Sequence, residues 1–264
     1  MKIGFIGCGN MATAILKGIL KSGEVAAADI IASAKSDKTR EKIEKELGIQ
    51  KADTNAQVVE FADVVFLAVK PQFLEGVLDE IRSSVKEGQI FISIAPGKTL
   101  QWFAEKLGEK TKVIRTMPNT PAMVGEGMTA LCVNDLVTEE ETALAVKLCN
   151  TFGKTEVIPE RLMDVVVGVS GSSPAYVFMF LEAMADAAVA DGMPRAQAYK
   201  FAAQAVLGSA KLMLETGKHP GELKDMVCSP AGTTIQAVKV LEETGFRASV
   251  MDAVEACIEK SRSM

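Results

Sequence analysis

The chain has 264 residues, of which 48% are hydrophobic and 24% are charged, and its formal net charge is −5. This length favours a large core divided between two domains, and an acidic balance without a basic tract argues against nucleic acid as a partner. We expect a soluble, cytoplasmic protein with no membrane partner, because neither a secretory signal pattern nor an apolar run of bilayer-spanning length stands out.

The chain opens with an apolar run followed by closely spaced glycines. Residues 3–6 are typical of a buried strand and residues 11–20 carry apolar side chains at helical spacing, so Gly7, Gly9 and Ala12 occupy a strand-to-helix turn. This is the G-x-G-x-x-A fingerprint of dinucleotide binding, in which the glycines allow a tight turn and leave room for a pyrophosphate. The pyrophosphate would lie at the helix start, where N–H groups point outward. An ordinary strand-turn-helix with small residues is the alternative.

The second predicted strand, residues 29–33, ends without the acidic residue that binds the 2′-hydroxyl of NAD. Ser33, Lys35 and Ser36 stand there instead, with Arg40 a turn further on. Hydroxyl and cationic groups bind a 2′-phosphate by hydrogen bonding and charge, so we predict NADP. A solvated basic turn is the alternative, since Asp37 lies close by.

Strand-like and helical runs alternate up to about residue 160. The strand-like runs lie at residues 29–33, 64–69, 89–94, 113–116, 128–133 and 155–158. Such alternation predicts an α/β fold with an N-terminal Rossmann-type, doubly wound parallel sheet. Three loops follow successive strands: "LAVKPQ" with Lys70 and Pro71, "SIAPGK", and "RTMPNTPA" with Asn119. Singly, each is explained equally well by turn chemistry, but together they predict a cofactor groove at the strand ends.

After Pro159 the strand pattern stops, and Gly and Pro residues separate helical segments. We therefore predict an NADP-binding domain over residues 1–160 and a C-terminal all-helical domain over residues 161–264. The helix from Pro174 to Ala190 is apolar on nearly every face, apart from Glu182 and Asp186. Such a helix must be buried all round, so we expect a second subunit to cover it.

A turn from Ser229 to Thr234 leads into an amphipathic helix near the C-terminus. Its hydroxyls and the N–H groups of the helix start converge, which favours an anion. A capped helix start alone would explain Ser229 and Pro230 but would leave Gly232 and the two threonines without a role.

Cysteine and histidine usage gives no sign of a metal site or a disulfide framework. The cysteines are scattered, at Cys8, Cys132, Cys149, Cys228 and Cys257. They form no C-x-x-C pair and no ligand spacing with the single histidine, so we expect reduced packing thiols and no metal. That histidine, His219, precedes Pro220 and is interpreted as the start of a helix rather than an acid catalyst.

Five blocks of the sequence resemble the pyrroline-5-carboxylate reductase family in order and spacing. They are "FIGCGNMA", "AVKPQ", "RTMPNTP", "SGSSPAYVF" and "HPGELKDMVCSPAGTTIQAV". Two positions depart from the family pattern, which has glycine where Ser173 and Ala231 stand. Ala231 affects the local loop if that position requires a positive φ, which alanine tolerates poorly.

The resemblance implies an oxidoreductase that transfers a hydride from NADPH to the C5=N bond of 1-pyrroline-5-carboxylate and forms L-proline, the last step of proline biosynthesis. It implies that the substrate is bound by Ser229, Gly232, Thr233 and Thr234, and that the hydroxyl of Thr234 meets the ring nitrogen as the catalytic group. It also implies interlocked homodimers that assemble into rings of dimers such as a homodecamer. A protonated imine is its own electrophile, so orientation and desolvation suffice without a metal.

The cofactor-binding residues that we predict are Gly7, Gly9, Asn10, Met11, Ser33, Lys35, Asn55, Val69, Lys70, Pro71 and Asn119. Two other functions stay open. β-Hydroxyacid dehydrogenases resemble this layout but place a catalytic lysine on the first long helix after the sheet, and residues 174–191 contain no lysine. A redox sensor that binds NADP without catalysis would not need the anion site around Thr234.

Overall fold

The computed structural model describes residues 1–263, apart from the side chain of Lys42. Internal contacts divide the chain into two units: residues 1–172 together with the chain from Cys257 onward, and residues 173–256. The sequence prediction set the domain boundary between residues 160 and 161. In the structure, residues just beyond that point belong to the first unit, because Met163 packs against Ala130 and Cys132 of the sheet.

An eight-stranded sheet forms the centre of the first unit. Its strands are β1 (Ile3–Ile6), β2 (Ile30–Ser33), β3 (Gln50–Ala52), β4 (Val64–Leu67), β5 (Ile90–Ser93), β6 (Lys112–Met117), β7 (Gly127–Val133) and β8 (Gly153–Val157). Their order across the sheet is β3-β2-β1-β4-β5-β6-β7-β8. The chain winds outward in both directions from the β1–β4 pair, which confirms the predicted doubly wound sheet.

The sheet departs from the prediction in one pairing and one strand. All neighbouring strands are parallel except β6 and β7, which are antiparallel. The connection between these two strands holds only the 3₁₀ turn Thr120–Val124, and a parallel pair would need a longer crossover. β3 was not predicted, since three residues of mixed polarity give no strand pattern.

Seven α-helices within the described residues of the first unit accompany the sheet. They are α1 (Asn10–Ser22), α2 (Asp37–Lys45), α3 (Asn55–Phe61), α4 (Pro71–Ile81), α5 (Leu100–Leu107), α6 (Glu139–Cys149) and α7 (Met163–Val166). Successive strand residues point to opposite faces, so Phe5 and Phe66 stack at 4.5 Å in one apolar cluster while Ile6 and Leu67 belong to a second cluster. A π-helical turn, Val167–Gly171, follows α7.

All regular elements among the described residues of the second unit are helices, as predicted. Its helices are α8 (Ser173–Ala190), α9 (Arg195–Thr216), α10 (Pro220–Val227), α11 (Thr233–Glu243) and α12 (Phe246–Arg262), the last turns of which belong to the first unit. Ala185 is the buried residue of α8, whereas Phe178 and Met179 are 65% and 69% exposed in the single chain. An apolar helix left this open is what a subunit interface requires.

One helical stretch among the described residues, Glu160–Ala190, is long and apolar enough to cross a membrane, with a mean hydropathy of 1.4 over its most apolar window. This corrects the expectation that no run reaches such a length. The expectation failed because the π-helical turn connects α7 to α8 with Ser172 as the single residue between them. Length and composition alone are weak support for a membrane span, because the apolar helix of a subunit interface passes the same test.

Candidate active site

A groove of about 590 Å³ opens at the carboxyl ends of β1, β2 and β4 in the first unit. These strands end at one level, since Ile6 is paired with Ser33 on one side and Leu67 on the other. The strand order reverses between β1 and β4, and this is the point at which doubly wound sheets bind ligands.

The glycine-rich turn between β1 and α1 has the geometry of a pyrophosphate site. Gly7 has φ +93°, and a Cβ there would lie 2.7 Å from the carbonyl oxygen of Ala68, so this position requires glycine. A Cβ on Gly9 would meet no atom within 4 Å, because it would point into open space at the helix start. Gly9 is the N-cap residue of α1, and no side chain caps this helix start. Ala12, in the first turn of the helix, is buried. The first-turn amides are therefore placed to hold an anion.

The far end of the groove carries a chain of hydrogen bonds and two cations. Ser33 Oγ donates to Asn55 Oδ1 at 2.6 Å, and Asn55 Nδ2 donates to Glu80 Oε2 at 2.7 Å. Lys35 Nζ lies 5.6 Å from the centre of the Phe73 ring. Arg40 Nε donates to the carbonyl of Ala34 at 2.8 Å, which keeps its guanidinium at this end of the groove. Cations and hydroxyls here fit the 2′-phosphate of NADP.

The structure brings most of the predicted cofactor residues together. The groove is lined by Gly7, Gly9, Ser33, Lys35, Asn55, Val69 and Lys70 from that set. Asn10 lies in a neighbouring cavity beside Lys38 and Lys45. Met11 packs against the apolar core, and Pro71 is the first residue of α4. Contact of these three residues with a cofactor stays a prediction.

Asn119 lies outside the lining of this groove. Its side chain is buried, and its amide bonds to two backbone groups: Oδ1 accepts from the N–H of Met128 at 2.8 Å, and Nδ2 donates to the carbonyl of Ser170 at 3.0 Å. These bonds tie the loop after β6 to β7 and to the π-helical turn. The structure therefore supports a positioning role for Asn119, and direct cofactor contact stays a prediction.

Sequence reasoning missed one wall of the groove, which α4 provides. Phe73, Gly76, Val77 and Glu80 all line it. Their spacing of three, four and seven residues places them on one helical face. This spacing is present in the sequence, where it predicts one face of the helix that follows Lys70.

In the second unit, the loop from Ser229 to Thr234 forms a tight turn before α11. The N–H of Gly232 donates to the carbonyl of Ser229 at 3.0 Å, and Gly232 caps α11 without a side-chain bond. Ala231 has φ +58° and is the one non-glycine residue among residues 1–263 with a positive φ. Position 231 therefore has the positive φ that alanine tolerates poorly, which is the condition under which we expected Ala231 to affect this loop. Thr234 is half-buried, and Ser229 and Thr233 are exposed.

His219 begins α10 and caps it: its Nδ1 accepts from the N–H of Gly221 at 3.1 Å. This confirms its interpretation as a helix start. The five cysteines, all in the described part of the chain, are thiols. Burial raises the pKa of the Cys132 thiol to about 11 and that of Cys149 to about 12, so neither is a nucleophile near neutral pH. Among the described residues, no three His, Cys, Asp or Glu side chains are grouped to hold a metal.

Fold and groove together define a class: a Rossmann-type, dinucleotide-binding oxidoreductase whose helical part is built for association between subunits. Comparison with family models supports both halves. Residues 2–97 match the coenzyme F420-dependent NADP oxidoreductase family, and residues 160–264 match the pyrroline-5-carboxylate reductase dimerisation domain.

Relatives over the whole chain define the family. A pyrroline-5-carboxylate reductase from Escherichia coli K12 is 56% identical and one from Methanosarcina acetivorans is 44% identical, each matching 100% of this chain and at least 97% of the relative. This chain belongs to the pyrroline-5-carboxylate reductase family. Among solved structures, the Coxiella burnetii reductase has a TM-score of 0.93 at 33% identity, covering 99% of this chain and 97% of its own. The Plasmodium falciparum reductase, solved with NADP bound, has a TM-score of 0.90 at 30% identity, covering 100% and 97%.

Proposed function

We propose that this protein reduces 1-pyrroline-5-carboxylate to L-proline by transferring a hydride from NADPH to the C5=N bond. The observation that carries the proposal is the 56% identity to the Escherichia coli reductase over the whole chain. The groove geometry supports it independently, because a pyrophosphate turn and a cationic ribose end occur in one cavity.

NADPH supplies the hydride when it is bound, and residues of the first unit orient it. We assign the pyrophosphate to the turn at Gly7 and Gly9, whose conformations leave the first amides of α1 accessible to an anion. The 2′-phosphate is assigned to Ser33, Lys35 and Arg40, which line the opposite end. Preference for NADPH over NADH follows from this cationic end.

The substrate carboxylate is assigned to the loop of the second unit that precedes α11. Ser229, Gly232 and Thr233 present hydroxyls and backbone N–H groups around a helix start that carries no side-chain cap. The Thr234 hydroxyl oxygen accepts a hydrogen bond from the N–H of the protonated ring nitrogen and so holds the C=N bond in position to receive the hydride. The nitrogen obtains its proton in solution or through water, as no acid is required beside a protonated imine.

The protein carries a dimerisation domain and forms a homo-oligomer. We propose a dimer in which the exposed face of α8, with Phe178 and Met179, is buried against the partner. A decamer built as a ring of dimers is the larger assembly expected from the resemblance. In this arrangement the apolar stretch Glu160–Ala190 meets protein rather than lipid, consistent with a cytoplasmic location.

A single assay tests the activity against its rivals. Purified protein is mixed with NADPH and 1-pyrroline-5-carboxylate, and loss of reduced-nicotinamide absorbance is followed together with proline formation by chromatography. Equimolar loss of NADPH and gain of proline supports the proposal. NADP⁺ reduction with a β-hydroxyacid but not imine reduction would favour the dehydrogenase alternative. NADPH binding without turnover of either substrate would favour the redox sensor.

A further inference from the structure

The wall of the groove formed by α4 carries a carboxylate at the cationic end. Glu80 lines the same cavity as Ser33 and Asn55 and is linked to both through the amide of Asn55. We infer that Glu80 is a specificity-determining residue that limits the preference for NADPH over NADH by fixing the orientation of that amide. The inference rests on the proposed cofactor site.

The chemistry of the carboxylate decides the direction of each hydrogen bond. An ionised carboxylate only accepts, so Asn55 must point its Nδ2 toward Glu80, where the distance to Oε2 is 2.7 Å. The carbonyl oxygen of the amide then faces Ser33 Oγ at 2.6 Å. A carbonyl oxygen also only accepts, so the hydroxyl proton of Ser33 is directed to Asn55. What Ser33 offers to the groove is oxygen lone pairs.

This orientation favours one form of the ribose over the other. A 2′-hydroxyl can donate its proton to the lone pairs of Ser33. A 2′-phosphate is mostly doubly ionised at neutral pH, so its oxygens act as hydrogen-bond acceptors. To bind the phosphate, Ser33 or Asn55 must turn a proton away from its present partner. Glu80 opposes this change, since its own hydrogen bond to Asn55 is charge-assisted.

The cations at this end act in the opposite direction. Lys35 and Arg40 attract the 2′-phosphate. Glu80 keeps the protons of the Ser33 hydroxyl and the Asn55 amide directed away from that phosphate. Removing the charge of Glu80 should therefore improve binding of the phosphate without changing binding of the hydroxyl. A carboxamide at this position can accept or donate, so it lets the Asn55 amide adopt either orientation.

The test compares two probes that differ only in the 2′-phosphate, 2′,5′-ADP and 5′-AMP, by calorimetric titration of the full-length protein. For Glu80→Gln we expect the affinity ratio of 2′,5′-ADP to 5′-AMP to rise by about three- to fivefold, the scale of an exposed charge interaction. Asp79→Asn is the matched control. It removes one charge from the neighbouring, exposed position of α4, which is not part of the groove lining, and should leave the ratio unchanged.

A second comparison separates the relay from plain charge repulsion. In an Asn55→Ala background, Glu80→Gln should no longer change the ratio, because the amide through which Glu80 acts is missing. An unchanged ratio in Glu80→Gln, or the full effect in the Asn55→Ala background, would overturn the inference. Neither result tests the proposed imine reduction, which the activity assay measures separately.

Discussion

Gly232 and Ser229 lie so close that a Cβ atom on Gly232 would be 2.3 Å from the Oγ atom of Ser229. The backbone at Gly232 has φ −75°, which alanine adopts freely, so the constraint is space rather than conformation. Ser229 can relieve the overlap by rotating its hydroxyl away from the loop. We therefore predict that Gly232→Ala raises the KM for the imine by about tenfold, the loss of one hydrogen bond, with little loss of stability.

A double variant checks that the effect of Gly232→Ala acts through Ser229. In a Ser229→Ala background the most severe overlap, with Oγ, is absent. The Cβ of residue 229 would lie at an ordinary 3.5 Å, and the carbonyl oxygen of residue 229, at 3.1 Å, would have to give by a few tenths of an ångström. Gly232→Ala should then add little to the KM of Ser229→Ala. Steady-state kinetics of the four proteins measures the coupling. Additive effects would show that Gly232 matters for another reason, such as backbone access.

Ala231 occupies the left-handed region of the backbone, with φ +58°. Alanine there carries about 1 kcal/mol of strain, whereas glycine adds roughly 0.4–1 kcal/mol of chain entropy to the unfolded state. Because the two effects nearly offset, we predict that Ala231→Gly leaves stability unchanged or raises it by about 0.5 kcal/mol.

The control for Ala231→Gly is the same substitution in the middle of α11. Ala237→Gly, within the helix Thr233–Glu243, should lower stability by about 1 kcal/mol, since glycine disfavours a helix interior. Denaturant unfolding of the two variants at equal protein concentration gives the comparison. A loss of 1 kcal/mol in both variants would mean that position 231 is not strained.

The sequence was sufficient to predict the parts of the molecule that local pattern determines. The turn at Gly7 and Gly9, the absence of an acidic residue at Ser33 and the helical second unit all follow from spacing within a short window. For Ala231, the family pattern of glycine identified a position whose conformation matters if its φ is positive, and the structure shows that it is.

What escaped sequence reasoning depends on contacts between distant segments. Asn55 and Glu80 are 25 residues apart and meet only because α3 and α4 pack beside each other. The antiparallel β6–β7 pair depends on how far the chain travels after Met117. Asn119 was assigned to the cofactor from its place after β6, but its two backbone partners, Met128 and Ser170, could not be foreseen.

The exposed face of α8 predicts where charge will prevent association. Phe180 also lies on this helix, but the centre of its ring is 6.2 Å from that of Phe246 in the same unit, so a substitution there would disturb packing within the chain. Phe178, 65% exposed, gives a cleaner test. Phe178→Glu should yield monomers or much weaker dimers, because burying an unpaired charge costs several kcal/mol. Sedimentation velocity at micromolar concentration measures the outcome.

The matched control for Phe178→Glu lies in the first unit. Leu136 is also apolar and 40% exposed, but it is outside the dimerisation domain of residues 160–264. Leu136→Glu should sediment as the wild type does. If Phe178→Glu forms the same oligomer as the wild type, the interface must lie on another face of the helical unit.

Ser33 is buried at the end of β2, beside the proposed 2′-phosphate site. An aspartate there would repel the phosphate and accept a hydrogen bond from a 2′-hydroxyl. We predict that Ser33→Asp moves the ratio of kcat/KM with NADPH to that with NADH by about tenfold toward NADH. Ser33→Ala, which removes the hydroxyl without adding charge, should change the ratio far less. Equal use of both cofactors by the wild type would contradict this assignment of Ser33.

Thr234 is half-buried in the first turn of α11, directly after the loop assigned to the substrate carboxylate. A hydrogen bond to a charged group contributes roughly 1.5–3 kcal/mol, so Thr234→Ala should lower kcat by about ten- to a hundredfold. Thr234→Ser keeps the hydroxyl and should retain much of the activity. NADPH affinity, measured by fluorescence titration, should not change, because the cofactor is assigned to the groove of the first unit. Thr233→Ala, one position earlier, should raise KM more than it lowers kcat, since its partner is the carboxylate. Near-normal kcat in Thr234→Ala would leave this threonine as a helix-start residue, with orientation of the imine resting on the carboxylate contacts alone.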